Sequence, residues 1–223
     1  MCNNNKFPKL LDNFMVGKFF VIYGANNLGK TVQTSLLAKW LMNECLDMLT
    51  VKYPVYNLKP SGPKINSILR DPKNKNRNIS EIEFQKLYIQ NRFDFQPIIK
   101  HLLSCGINII AEDYVGTGIA WGVTNLITKE NYDLRDKIKL INMFVKLNSG
   151  LLKPDLSILL DGERFLSGKE KSHRNEDRTD AVWKLNRTIY KDLAKKFKWP
   201  IVNANQTIEA VNSDIIKIAK KHI

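Results

Sequence analysis

The chain has 223 residues, 43% hydrophobic and 26% charged, with 35 Lys and Arg against 22 Asp and Glu for a formal charge of +13. That length suits one domain with a sizeable core, and no apolar run approaches the roughly 18–20 residues that would span a membrane. The lysines are spread along the chain rather than gathered in a stripe, so a general compositional bias accounts for the charge better than a nucleic-acid surface does. Anionic substrates would also favour it, and charge alone decides no function. Cys2, Cys45 and Cys105 share no metal or redox spacing, and a reduced, cytoplasmic setting is expected.

Residues 1–16 lack the apolar core of a signal peptide and are expected to form a polar, poorly ordered extension. Residues 18–23, KFFVIY, lie between Gly17 and Gly24 and predict a buried strand. From Thr31 onward, Val32, Leu36, Leu37, Trp40 and Leu41 recur at helical spacing and predict an amphipathic helix with those five buried. A second strand is expected over 50–57, interrupted by Pro54, then a loop over 58–64 and an exposed polar stretch over 71–78. Ser80 and Glu83 form a capping box, so a helix starts there. Pro97 is expected to kink or split it. Later strands are expected over 107–113, 154–161 and 198–205, with helices over 177–198 and 207–221. No internal repeat or low-complexity segment is found. This alternation predicts an α/β architecture, a mostly parallel sheet covered on both faces. Ligands of such sheets bind beyond the carboxyl ends of the strands.

Gly24, Gly29, Lys30 and Thr31 complete the pattern G-x-x-x-x-G-K-[ST], and a strand before it with a helix after it is the context the pattern requires. Glycines let backbone N–H groups converge on an anion, and the helix N-terminus adds a positive dipole end. Gly24, Asn26, Asn27, Leu28, Gly29, Lys30, Thr31 and Val32 are therefore candidates to cradle ATP. In such cradles the Lys reaches the β- and γ-phosphates and the Thr hydroxyl ligates Mg²⁺. Tyr88 and Arg92 stand at i and i+4 of the predicted helix and point the same way. A ring there can stack on a base while a guanidinium bonds a base edge or phosphate. A core tyrosine beside a solvated arginine is the competing reading.

Five further segments carry a resemblance. Residues 112–122, EDYVGTGIAWG, resemble the DRY…S-x-x-A-[YF] segment of thymidylate kinases. LYIQNRF (87–93) is similar to their LF-x-x-x-R helix, and VKYP with SGPKI to their RFP…G-x-x-I. KPDLSILLD (153–161) and VNANQTIEAV (202–211) resemble their fourth and fifth strands. The resemblance runs from about Lys18 to Lys221. It implies a P-loop NTPase fold: five strands, helices on both faces, a single kinase domain over 17–223 and a small lid over about 162–177. It further implies transfer of the ATP γ-phosphoryl group to dTMP, with Mg²⁺, by a homodimer. Lys30, Glu112, Arg92, Arg164 and Arg174 become the candidate catalytic residues. Thr31 and Glu112 become candidate metal ligands, and Asn205 falls on the ATP side. Tyr88, Arg92, Lys52, Pro54, Asp113, Thr117, Gly118 and Trp121 become the candidate acceptor contacts.

Four departures qualify that expectation. Asp113 stands where the family has an arginine, Asn26 where it often has aspartate, and Tyr56 where some members carry a phosphate-binding arginine; the lid is short. Lys52, Lys59 and Arg92 are the candidates to compensate for the missing positive charge. On sequence alone three alternatives stay open: a kinase for another deoxynucleoside or its monophosphate, a weakly active nucleotide-binding homologue, and a basic ATPase acting on nucleic acid.

Overall fold

The run before the phosphate loop becomes β1 (Phe19–Gly24), with all six residues buried. The computed structural model describes residues 16–74, 78–165 and 179–223. The expected extension, but for Val16, lies outside them, as does most of the expected lid. In chain order the other elements are α1 (Lys30–Asn43), β2 (Met48–Lys52), α2 (Ser61–Arg70), α3 (Glu81–Ser104), β3 (Asn108–Glu112) and α4 (Val115–Lys129). There follow α5 (Lys137–Leu147), β4 (Leu156–Asp161), α6 (Asp180–Phe197), β5 (Ile201–Asn203) and α7 (Ile208–Ala219).

Among the described residues the strands form one five-stranded sheet in the order β2-β3-β1-β4-β5, and every pairing is parallel. Helices α1 and α7 pack together on one side, while α3, α4, α5 and α6 form a packed layer of their own. Apolar strands sandwiched this way lose water on both faces, so Ile22, Ile109, Ile110 and Leu160 are fully enclosed. At about 25 cal/mol per Å² of buried apolar surface, this core is the main stabilising contribution. No helix among the described residues is long and apolar enough to cross a membrane.

Several local expectations are corrected. The second strand ends at Lys52, short of Pro54, because proline cannot donate to a ladder. The expected loop over 58–64 turns helical at Ser61, with Pro63 inside the first turn. There its missing N–H costs nothing, since first-turn donors have no helical partner. Helix α3 runs unbroken for 24 residues through Pro97, which sits on its exposed side. Ser80 caps α3 as expected, accepting from Glu83 N at 3.3 Å. On α1 the buried stripe is Lys30, Gln33, Thr34, Leu37, Ala38 and Leu41. It is rotated from the expected face, and Val32 is exposed. Helix α5, with Leu140, Ile141 and Phe144 buried, had no counterpart in the sequence reading.

Candidate active site

Strand β1 stops at Gly24, and α1 begins at Lys30. Gly29 has φ +78° and Asn27 φ +63°, values that glycine adopts freely and asparagine tolerates. This bends the loop so that Asn26, Asn27, Leu28 and Gly29 line a cavity of about 940 Å³. Gly24 stands behind the loop, its carbonyl turned to Lys30. No side chain caps α1, in contrast to α3, α6 and α7, which Ser80, Thr179 and Thr207 cap. The first amides of α1 thus meet the cavity as anion donors. The loop is pinned from behind: Trp183 Nε1 donates to Asn26 O at 3.3 Å and Phe165 N to Asn27 O at 2.9 Å.

Lys30 is 8% exposed. Its Nζ donates to Gly24 O at 3.0 Å and Ala25 O at 3.2 Å, and lies 3.8 Å from the Asp113 carboxylate. Register explains what stands beside it. Glu112 pairs with Ile22 on β1 and with Lys52 on β2, so the end of β3 flanks the phosphate loop. Thr31 Oγ1 donates to Glu112 Oε1 at 2.9 Å, bringing together the two residues expected to hold a metal. Lys52 Nζ approaches the same oxygen at 2.7 Å. Burial disfavours the Lys52 charge, but Glu112 outweighs it and holds the ammonium above its ordinary range.

Asp113 does not turn away from the site. It lines the cavity and accepts from Thr117 Oγ1 at 2.8 Å, while Tyr190 Oη donates to that hydroxyl at 3.0 Å. Its φ is +65°. A longer L side chain would be strained by about 1–2 kcal/mol in that region, which Asp and Asn tolerate best. That backbone conformation suits the Asp that stands where the resemblance expected an arginine. Burial pushes the Asp113 carboxyl up, more than Lys30 draws it down.

The far wall comes from two helices. On α3, Glu81, Gln85, Tyr88 and Arg92 recur at helical spacing and all line the cavity, with Phe84 beside them. On α4, Gly118, Trp121 and Asn125 do the same. Tyr88 meets Phe84 edge to face at 4.9 Å between ring centres. Arg92 is no solvated charge: it is 3% exposed. Its Nη1 reaches Asn148 Oδ1 at 3.4 Å, its carbon lies 6.0 Å from the Tyr114 ring, and Nε has no partner. Burial lowers its pKa. It also pushes the neighbouring Tyr114 phenol up to about 12. Gly118 lets the helices approach closely, since a Cβ there would stand 2.6 Å from Arg92 Nη2 and push that tip aside. Trp121 is buried and lines the cavity at once. Pro54 and Tyr56 complete the rim, where Arg70 lies 4.7 Å from the Tyr56 ring centre.

Of the remaining candidates, Arg164 lines the cavity, is ion-paired to Asp180 and lies 5.8 Å from the Trp183 ring centre. Arg174 lies outside the described residues. Asn205 is not brought into the cavity. It clamps the chain after β4, accepting from Glu163 N at 2.6 Å and donating to Glu163 O at 3.1 Å. The sequence reading missed Glu81, Gln85 and Asn125. For Glu81 and Gln85 the signal was the same helical spacing that selected Tyr88 and Arg92, extended by one and two turns; for Asn125 it was the i+4 spacing from Trp121 on α4.

A family model described as thymidylate kinase matches residues 22–215. The chain belongs to the thymidylate kinase family. This is a family of ATP-dependent phosphotransferases, and its model spans the end of β1, the phosphate loop, both walls of the cavity and the other four strands. Among curated relatives, a thymidylate kinase of Plasmodium falciparum is 26% identical over 95% of this chain and 94% of its own length. A probable thymidylate kinase of Pyrococcus abyssi is 28% identical over 94% and 98%. The solved structure of thymidylate kinase from Candida albicans superposes with a TM-score of 0.78 at 23% identity, covering 92% of each chain. That likeness bears on the fold, which is the P-loop α/β arrangement expected.

Proposed function

We propose that this chain transfers the γ-phosphoryl group of ATP to dTMP, giving dTDP and ADP. The observation that carries the reading is one cavity with two unlike ends. A cationic phosphate loop closes one end, and the Tyr88 ring with the buried Arg92 guanidinium closes the other. A buried guanidinium held by a single 3.4 Å hydrogen bond is costly unless a ligand satisfies it.

In this mechanism the loop amides and Lys30 hold the β- and γ-phosphates. Tyr88 stacks on the base, Arg92 bonds it, and Trp121 borders the sugar. Thr117 and Lys52 lie nearer the meeting phosphates. Arg164 neutralises charge on the group in transit. Positioning and charge neutralisation supply most of the rate in such transfers. The acceptor's own phosphate oxygen is the nucleophile, so no strong general base is needed. The Thr31 hydroxyl and Glu112 carboxylate, 2.9 Å apart, are hard oxygen donors that fit Mg²⁺. The lack of a larger acidic cluster among the described residues suits a cation that keeps its waters and leans on substrate phosphates. Thr31 and Glu112 would hold Mg²⁺ there, and the ion would supply positive charge against the donor phosphates. We also read the enzyme as a cytoplasmic homodimer, which light scattering on the purified protein checks.

A coupled ADP-release assay over dTMP, dUMP, dCMP and the deoxynucleosides tests the reading. The highest kcat/KM is expected for dTMP. ATP hydrolysis that needs no acceptor and rises with DNA would overturn it. Asp113 favours a second reading, because a carboxylate 3.8 Å from Lys30 suits an acceptor ending in a hydroxyl better than one ending in a phosphate. Thymidine outranking dTMP would select that alternative. On the primary reading, Asp113→Asn keeps the acceptor for Thr117 and removes a like charge. It is expected to lower KM for dTMP roughly tenfold, equal to about 1.4 kcal/mol. Steady-state kinetics on the purified variant measures this.

A further inference from the structure

The two helices of the far wall, α3 and α4, bury four polar side chains where they pack together. Glu81, Gln85, Asn125 and Arg92 are each 4% exposed or less. They are wired in one direction. Gln85 Nε2 donates to Glu81 Oε1 at 2.8 Å, and Asn125 Nδ2 donates to Glu81 Oε2 at 3.1 Å. An ionised carboxylate only accepts, so Glu81 holds the Gln85 amide with its nitrogen toward the helix and its oxygen toward the cavity. The opposite orientation would turn the Gln85 NH₂ toward the Arg92 guanidinium, donor against donor.

The two tips meet over Gly118. A methyl group on that residue would stand 2.6 Å from Arg92 Nη2 and 3.0 Å from Gln85 Oε1. Among the described residues Gln85 Oε1 accepts no hydrogen bond, and Arg92 Nε donates none. The cavity end therefore presents one neutral acceptor, Gln85 Oε1, beside one cationic donor, Arg92 Nη2, both with spare capacity. Tyr88, Phe84 and Trp121 supply apolar walls for a flat ring.

We propose that Gln85 is a specificity-determining residue and Glu81, tied to Asn125, a positioning residue that fixes its amide. Together with Arg92 they read the N3–H and O4 edge of a pyrimidine-2,4-dione. This deepens the function proposed above and rests on it. Gln85 Oε1 accepts the N3–H, and Arg92 donates to O4. A 4-aminopyrimidine is rejected twice: its N3 lone pair faces the Gln85 oxygen, and its 4-amino group faces the guanidinium. Discrimination of this kind is strong because mismatched buried polar groups are left unpaired.

The test compares kcat/KM for dTMP and dCMP in the wild type, Gln85→Met and Glu81→Gln. Methionine keeps the length and volume of glutamine and removes the acceptor. Glu81→Gln removes the carboxylate that orients the amide. Each change is expected to reduce the dTMP-to-dCMP ratio roughly 10–100-fold, mainly through KM, with kcat for dTMP within about threefold of wild type. An imino-proton signal from ¹⁵N3-labelled dTMP should be protected from exchange on the wild type and lost on Gln85→Met. A ratio unchanged within about twofold in a folded Glu81→Gln or Gln85→Met protein overturns the assignment while leaving dTMP kinase activity standing. Failure of the wild type to phosphorylate dTMP removes the functional reading, and this assignment with it.

Discussion

Replacement of Lys30 by methionine is expected to lower kcat for phosphoryl transfer roughly 10²–10³-fold, about 2.7–4 kcal/mol of transition-state stabilisation. The ammonium is buried and already held by the Gly24 and Ala25 carbonyls, so it needs little reorganisation to meet developing charge. Methionine fills the space of the stem and leaves the loop carbonyls without their donor. Asp113, 3.8 Å away, also loses the cation that offsets its burial. Lys30→Met should therefore lower Tm as well as kcat, and adding Asp113→Asn should recover part of the Tm but none of the rate. Two residues in contact couple in this way, and a double-mutant cycle measures it. Calorimetry and single-turnover kinetics on the four proteins decide the matter. A drop in kcat smaller than tenfold for Lys30→Met would remove Lys30 from the catalytic set.

The split between what the sequence disclosed and what it concealed follows physical lines. The phosphate loop was legible because its chemistry is local: Gly24 through Thr31 carry glycine geometry, charge and hydroxyl within one turn. Strand β1 was legible because a strand buried on both faces is a continuous apolar run. Glu112 could be assigned only on condition that β3 neighbours β1, a fact of topology that the register supplies. Helix α2 was hidden because Pro60, Gly62 and Pro63 read as loop until a first turn excuses them. Residues 81, 85 and 125 were hidden for a different reason. A buried carboxylate between two amides 44 and 4 residues away looks, in a linear string, like the polar face of two ordinary surface helices. Asp113 was read as an anion standing in the place of the family's arginine. Its left-handed backbone is a local preference no composition reveals.

Arg92→Met should give an enzyme that is more stable and nearly blind to its acceptor. The wild-type guanidinium is 3% exposed, and its recorded contacts are one 3.4 Å hydrogen bond to Asn148 and the Tyr114 ring. Burial lowers its pKa, so the folded state binds that proton less tightly than the unfolded chain does. For a base displaced in this direction the stability loss is fully present below the folded-state pKa, hence across the whole neutral range. Swapping a poorly compensated buried charge for an apolar side chain of similar volume is often stabilising by 1–4 kcal/mol, which for a chain of this size raises Tm by a few degrees. The acceptor then loses its charge-assisted bond in a dry site. KM for dTMP is expected to rise roughly 100-fold, about 2.7 kcal/mol. The decisive comparison is thermal: dTMP should raise the Tm of the wild type by several degrees through preferential binding to the folded state and leave Arg92→Met almost unmoved. A structural role alone predicts the reverse pattern, a lower Tm without ligand and an unchanged response to dTMP. The buried cation at Arg92 is on this account a cost carried by the free fold and returned when the base arrives.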